Sequence, residues 1–207
     1  MSGLLHTDLE TIARYLRGAL SHDRDAALAQ VPAGMRVAAV LAPLYAYKGR
    51  PHLLFTRRST KLNAHRGEIS FPGGSYEPAD GSMERTALRE AQEEIGLDPA
   101  RVEVLGMLQP VVTVVSNFTI IPFVGYLRAG PGPLDANPHE VDSIIEAPLA
   151  ALADPTIFHS EEWVRAGEAH TVYFFDYGPH RIWGATGRML VDLLERLRTA
   201  EEPSGAA

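Results

Sequence analysis

Apolar residues recur along the chain in two rhythms, one helical and one strand-like, and the changes between them mark out elements. Leu9, Ile12, Leu16 and Leu20 stand three and four apart behind Thr7 or Asp8 as a cap, so an amphipathic helix is expected to open the fold. Arg36 to Tyr47 and Leu53 to Arg57 are apolar, strand-like runs, with a turn predicted over Lys48-Gly49-Arg50-Pro51. From Ser59 to Asp80 the chain becomes polar and glycine-rich, which predicts a long loop, and long ordered loops are usually functional. Ser82 to Ile95 has helical composition and is closed by Gly96 as a C′ residue. Strands are expected at Val102 to Leu108, Val111 to Val115, Thr119 to Leu127, Val141 to Ile145 and Thr171 to Tyr177, with a surface turn at Gly130-Pro131-Gly132-Pro133. Met189, Leu190, Leu193, Leu194 and Leu197 form the apolar stripe of a last helix. The expected organisation is a helical extension over residues 1–30, one domain over 31–199 and a disordered tail over 200–207.

Composition narrows the chemistry. The chain has 207 residues, 45% hydrophobic and 22% charged, which fits a globular domain and excludes collagenous and globally disordered classes. A net charge of -7 disfavours broad contact with a phosphate backbone, so no nucleic-acid partner is expected. The absence of cysteine removes disulfides, thiolate metal sites and cysteine nucleophiles, leaving oxygen and imidazole to hold any metal. Residues 1–8 lack the basic and apolar regions of a signal peptide, so a cytoplasmic protein is expected. Val104 to Leu127 is uncharged and long enough to cross a bilayer as a helix. Its two prolines and its β-branched residues favour core strands instead, and no membrane partner is expected.

The densest chemistry lies in Arg89-Glu90-Ala91-Gln92-Glu93-Glu94-Ile95-Gly96-Leu97. On a helix Glu90 neighbours both Glu93 and Glu94, so three carboxylates are expected on one acidic ridge. Like charges at this spacing repel, and a divalent cation converts that repulsion into ligation; magnesium and manganese prefer such oxygen donors. Upstream, Phe71-Pro72-Gly73-Gly74 supplies paired glycines that bring backbone close to an anion or turn a carbonyl toward a metal. Arg57, Arg58, Lys61, His65 and Arg66 form a local basic cluster, some of it suited to phosphate. Trp163 and Trp183 are expected to pack in the core.

Together the glycine turn and the carboxylate helix resemble the signature of the Nudix hydrolase family, in which a glycine, five residues, a glutamate and seven residues precede R-E-U-x-E-E-x-G-U, with U aliphatic. The chain departs from it in three places: Asp80 replaces the glutamate, eight residues separate it from Arg89, and the small Ala91 takes the first U. Leu53 to Ser59, His65-Arg66-Gly67, Asn137 to Val141 and Ile182 to Thr186 look like the coenzyme A pyrophosphatase branch, although Asn63 stands where that pattern has arginine. The resemblance implies a Nudix-type α/β/α sandwich with a mixed sheet. It implies that Glu90, Glu93 and Glu94 ligate Mg2+ or Mn2+ with the Gly74 carbonyl, that Arg89 holds the ridge in place, and that Arg58, His65, Arg66, Gly73 and Gly74 meet substrate. Glu93 and Glu140 are both candidates for the general base. The implied substrate is coenzyme A or an acyl-coenzyme A; the alternatives are another nucleoside diphosphate derivative such as ADP-ribose, or a nucleotide-binding regulator without chemistry.

Overall fold

The computed structural model describes residues 3–61, 66–113, 116–165 and 167–200. Asp8 accepts the Thr11 amide and starts helix α1 (Leu9–Ala19), whose Leu9, Ile12, Ala13 and Leu16 are buried as one stripe. A short α2 (Arg24–Ala29), capped by Asp23, follows. Strands β1 (Arg36–Tyr47) and β2 (Arg50–Arg58) form a hairpin. Its turn is only Lys48 and Gly49, both with positive φ, so Arg50 and Pro51 belong to β2 and not to the turn expected there.

The loop expected over Ser59 to Asp80 contains β3 (Ile69–Ser70), β4 (Gly73–Ser75) and a 3-10 turn at Pro78–Asp80. These are two- and three-residue pieces, too short to leave a hydrophobic period. Ser82 caps α3 (Met83–Ile95), and Gly96 closes it with left-handed φ, its own amide and that of Leu97 returning to Gln92 and Ala91. Then come β5 (Glu103–Met107), β6 (Val111–Thr113), β7 (Phe118–Leu127), β8 (Val141–Pro148) and the single turn α4 (Leu149–Leu152). The end of the strand expected through Val115, and the tail beyond Ala200, lie outside the described residues.

These eight strands make one mixed sheet: β1 runs parallel to β7, while β2, β4, β5, β6 and β8 pair antiparallel with their neighbours. Alternation along the central strands divides the core. Ala39, Leu41, Tyr45, Leu54 and Phe123 face Ala87, Ala91 and Ile95 of α3. Val40, Ala42, Leu44, Phe55 and Val124 face the other way, toward α1 and the final helix α5 (Gly184–Thr199). The sheet is therefore sandwiched between helices, with the N-terminal residues Leu4 to Leu20 in the same core as α5. Among the described residues no helix is long and apolar enough to cross a membrane.

A second sheet, β9 (Phe158–Arg165), β10 (Glu168–Tyr177) and β11 (His180–Trp183), packs its Phe175 and Ile182 into the α5 core. Only β10 is foreseen from the sequence. β9 hides from periodicity because Glu161 and Glu162 interrupt it and six of its eight residues are exposed. The core placement expected for Trp163 is corrected here: it is 44% exposed on the outer face, leaning on Phe174 and Trp183.

Candidate active site

Helix α3 sits close to β1 and β4 because the residues facing them are small. Ala87 and Ala91 are fully buried, so no bulky side chain holds the helix away. Glu94 continues that stripe one turn on and is itself buried, at 3% exposure. Gly73 is required for the same approach: a Cβ there would lie 2.6 Å from Val40 Cγ1. A Cβ on Gly74 would lie 2.6 Å from Glu90 Oε2, so glycine at this position is what lets the Glu90 carboxylate reach the β4 backbone. The Gly73 amide donates to Glu94 Oε2 at 3.3 Å. Sequence-adjacent Phe71-Pro72-Gly73-Gly74 and the carboxylate helix thus meet at atomic contact.

The three glutamates do not form one uniform ridge. Residues 93 and 94 are turned about 100° apart on a helix, so burial of Glu94 against the sheet leaves Glu93 with an exposed side chain. Arg89 gathers the outer side: its Nε and Nη2 bind Asp80 at 2.7 and 3.2 Å, Nη1 binds Glu93 at 2.8 Å, and Nη2 also meets Glu90 Oε1 at 2.9 Å. Asp80 is buried and further accepts the Thr86 hydroxyl and the Glu77 amide; the Arg89 bond leads in holding its carboxyl down at about 2. Nothing in the composition of the 59–80 segment singles out Asp80 as the anchor of Arg89. Its spacing before the helix was the available signal, and its role is to fix the orientation of the charged face.

The inner side is electrostatically opposite. Burial, reinforced by Glu90 and Glu140, pushes the Glu94 carboxyl up to about 8 against the opposing pull of Arg58 and the Gly73 amide. Burial also raises Glu90. Arg58 Nη1 lies 3.7 Å from Glu94 Oε1, and the Arg58 Nε is buried with no hydrogen-bond partner. Alternation along β2 turns these neighbours apart: Arg57 meets His180 Nδ1 at 2.7 Å while Arg58 faces α3. The basic cluster expected from sequence is therefore split across the sheet. Arg66 is exposed in the turn before β3, its neighbour Gly67 bonding the Arg58 carbonyl. His65 lies outside the described residues.

Glu140 joins the site from far along the chain. The last carbonyls of α3 need partners, and the amides of Asp135 and Asn137 supply them at 2.9 Å each, to Ile95 and Glu94. That strap turns at Asn137, whose Nδ2 donates to Glu140 Oε1 at 3.4 Å, and the Glu140 carbonyl accepts from the Ser59 amide. Glu140 is thereby held beside Glu90 and Glu94, close enough for its charge to bear on both.

This constellation can be set against known proteins. A family profile for the NUDIX domain matches residues 35–168. The chain is 40% identical over 163 residues to the Nudix hydrolase NudL of Photorhabdus laumondii, covering 79% of this chain and 86% of that protein. It is 41% identical over 167 residues to the human mitochondrial coenzyme A diphosphatase NUDT8, covering 77% of this chain and 69% of that one. The chain belongs to the Nudix hydrolase family. A MutT/nudix protein from Enterococcus faecalis shares the Nudix fold with a TM-score of 0.50 at 14% identity, over 90% of this chain and 72% of the other.

Nudix hydrolases generally use divalent metal ions, and the donors here suit one. Glu90, Glu94 and Glu140 offer only oxygen, their mutual repulsion is offset in part by Arg89 at Glu90 and by Arg58 and the Gly73 amide at Glu94, and the Gly73-Gly74 backbone lies against them. Among the described residues no three carboxylate or imidazole groups converge on one point. The cause is visible: Arg89 draws Glu93 outward and shares the Glu90 carboxylate.

Proposed function

We propose that this Nudix hydrolase cleaves the pyrophosphate bond of coenzyme A or its acyl thioesters, releasing 3′,5′-ADP and 4′-phosphopantetheine or its acyl form, in the cytoplasm. The observation that carries the reading is the match, over three quarters of the chain, to a protein named as a coenzyme A diphosphatase. The site supports it with buried Glu94 and half-buried Glu90 beside an arginine whose buried Nε lacks a partner among the described residues, a combination suited to a metal-bound phosphate. Glu90, Glu93 and Glu94, with the Gly74 carbonyl, are the groups assigned to Mg2+ or Mn2+. Such an ion, when bound, neutralises charge on the pyrophosphate and lowers the pKa of water.

The chain's own residues do the rest. Arg89, fixed by Asp80, orients Glu90 and Glu93. Glu140 is assigned as general base, taking the proton of the attacking water at Oε2, because its Oε1 is engaged by Asn137 and its charge lies next to Glu90 and Glu94. Glu93, the other candidate, is tied to Arg89 on the exposed side. Arg58, next to Glu94, is assigned to the pyrophosphate, and Arg66, in the turn before β3, to the 3′-phosphate; His65 remains assigned to substrate.

The test is turnover of coenzyme A, acetyl-coenzyme A and ADP-ribose with Mg2+ or Mn2+, products identified by mass spectrometry. 3′,5′-ADP and 4′-phosphopantetheine from coenzyme A at the highest kcat/KM is the expected result. Preference for ADP-ribose selects the rival substrate, and absence of turnover on all three selects a nucleotide-binding regulator. Within the reading, Arg58→Ala weakens coenzyme A and dephospho-coenzyme A alike. Arg66→Ala raises KM for coenzyme A alone, by about one to two orders of magnitude for a lost charge-assisted phosphate contact.

A further inference from the structure

The β9–β11 sheet has no part in the site described above, yet it exposes the features of an unpaired interface. β9 is an edge strand: it pairs only with β10, and among the described residues its other side has no backbone partner. Natural edge strands are normally shielded, since open N–H and C=O rows recruit another strand. This one carries the charges Glu161, Glu162 and Arg165, yet beside them it displays two neighbouring exposed large apolar residues, Trp163 at 44% and Val164 at 75%. On the same face a cross-strand aromatic row runs His159, Phe174, Trp183, with parallel rings 4.8 and 6.0 Å apart, and Trp163 lies against Phe174 and Trp183. Among the described residues the row ends at His159 on β9.

We propose that the β9 edge is a homodimer interface in which two copies pair antiparallel about Trp163, joining two three-stranded sheets into one of six strands. The choice of partner comes from charge. A two-fold axis normal to the sheet passes through one residue of the strand, and that residue sets the register. Centring on Glu161 or Glu162 sets a glutamate against its own copy, which is destabilising. Centring nearer Phe158 leaves Trp163 and Val164 uncovered. Centring on Trp163 sets Glu161 against Arg165 of the second copy, twice by symmetry, sets Val164 against the Glu162 stem, and places the two Trp163 positions opposite each other. Arg165 makes no ion pair among the described residues, and Glu161 already approaches the seam by accepting Trp163 Nε1 at 2.6 Å. The strand is self-complementary in this register; centring on Val164 also covers the apolar pair but engages only residues 163–165 of the strand and leaves Glu161 without Arg165 opposite it.

Five paired residues per copy make a small interface, so the dimer is expected to be of micromolar strength and reversible. Sedimentation velocity of the full chain across concentration should show the sedimentation coefficient rising from monomer to dimer. A monomer at all concentrations up to the millimolar range overturns the proposal. The register is tested by charge exchange. Glu161→Arg alone places like charges together at both contacts, as does Arg165→Glu alone, and each should weaken dimerisation by about tenfold or more. An equimolar mixture of the two variants restores both pairs, in one hetero-dimer, and should dimerise about as well as the wild type. Unchanged dimerisation of either single variant, or failure of the mixture to recover, overturns the interface even if the protein dimerises elsewhere. Far-ultraviolet circular dichroism of each variant reports whether it is folded, and turnover of the monomeric variants should match the wild type, since β9 touches none of the carboxylate site.

Discussion

The two faces of the central sheet carry opposite designs. Against α1 and α5 the sheet is sealed by apolar side chains throughout, with Ile12, Leu16, Leu190, Leu193 and Leu197 all fully buried. Against α3 the corresponding position at the helix end is Glu94, buried to nearly the same degree and held away from its ordinary ionisation. One face therefore contributes stability without chemistry, and the other gives up stability to hold a carboxylate at the proposed metal and substrate site. Burial alone does not separate them. What separates them is the identity of the buried group and the arrangement of Arg58, Gly73 and Glu140 around it.

Substitutions on the two faces should part company. Glu94→Gln is expected to reduce turnover by more than the roughly 10–100-fold typical of groups that only support a metal ligand, while circular dichroism and the melting curve show an intact fold. Near-normal activity at limiting Mg2+ would end its assignment as a ligand. Leu193→Ala on the α5 face should do the reverse, lowering stability by about 2–5 kcal/mol in urea titrations with kcat per folded molecule unchanged. Between these extremes, Asp80→Asn removes the charged partner of Arg89 and should touch both properties. A loss of about 1.5–3 kcal/mol is expected together with a fall in kcat, because Arg89 freed from Asp80 no longer orients Glu90 and Glu93. If activity stays at the wild-type level, the Asp80–Arg89 pair serves the fold alone.

The sequence is informative where a side-chain pattern repeats or where several chemically specific residues crowd together. The helix over 83–95, its Gly96 stop, the long strands and the apolar stripe of α5 are all legible from spacing. So is the meeting of Gly73-Gly74 with Glu90 and Glu94, although only through resemblance. What escapes is what depends on three-dimensional closure. The strap from Asp135 to Glu140 is irregular backbone that becomes meaningful only once it caps α3. Adjacent Glu93 and Glu94 look equivalent in the chain, and packing against Ala91 and β4 makes one exposed and one buried. Arg57 and Arg58 likewise read as one basic patch and are divided by the pleat of β2. β9 fails every strand test except its pairing with β10.

The subtlest consequence of the contrast is in pH dependence without metal. Glu94 titrates near 8 in the folded chain against an ordinary value of 4.5. Between those two limits the unfolded chain has released the proton and the native chain retains it, so native stability falls as pH rises through this window. Asp80 has the opposite sign: lowered to about 2 from 3.8, it adds stability above pH 3.8 that is lost as pH falls through about 2. The metal-free protein should thus lose stability at both ends, and the alkaline loss should be specific to the α3 face. Measured by thermal melts with a chelator, the wild type should decline from pH 5 to pH 8. Glu94→Gln should be flatter across that range, and relatively more stable than the wild type toward its upper end, because it removes the buried charge and leaves the contacts of Ala87, Ala91 and Ile95 in place. Saturating Mg2+ should restore the wild type by mass action and leave the variant nearly unaffected. Parallel pH profiles for the two chelated proteins would show that the buried carboxylate is not the source of the decline, and that the two faces of the sheet differ less in energy than in composition.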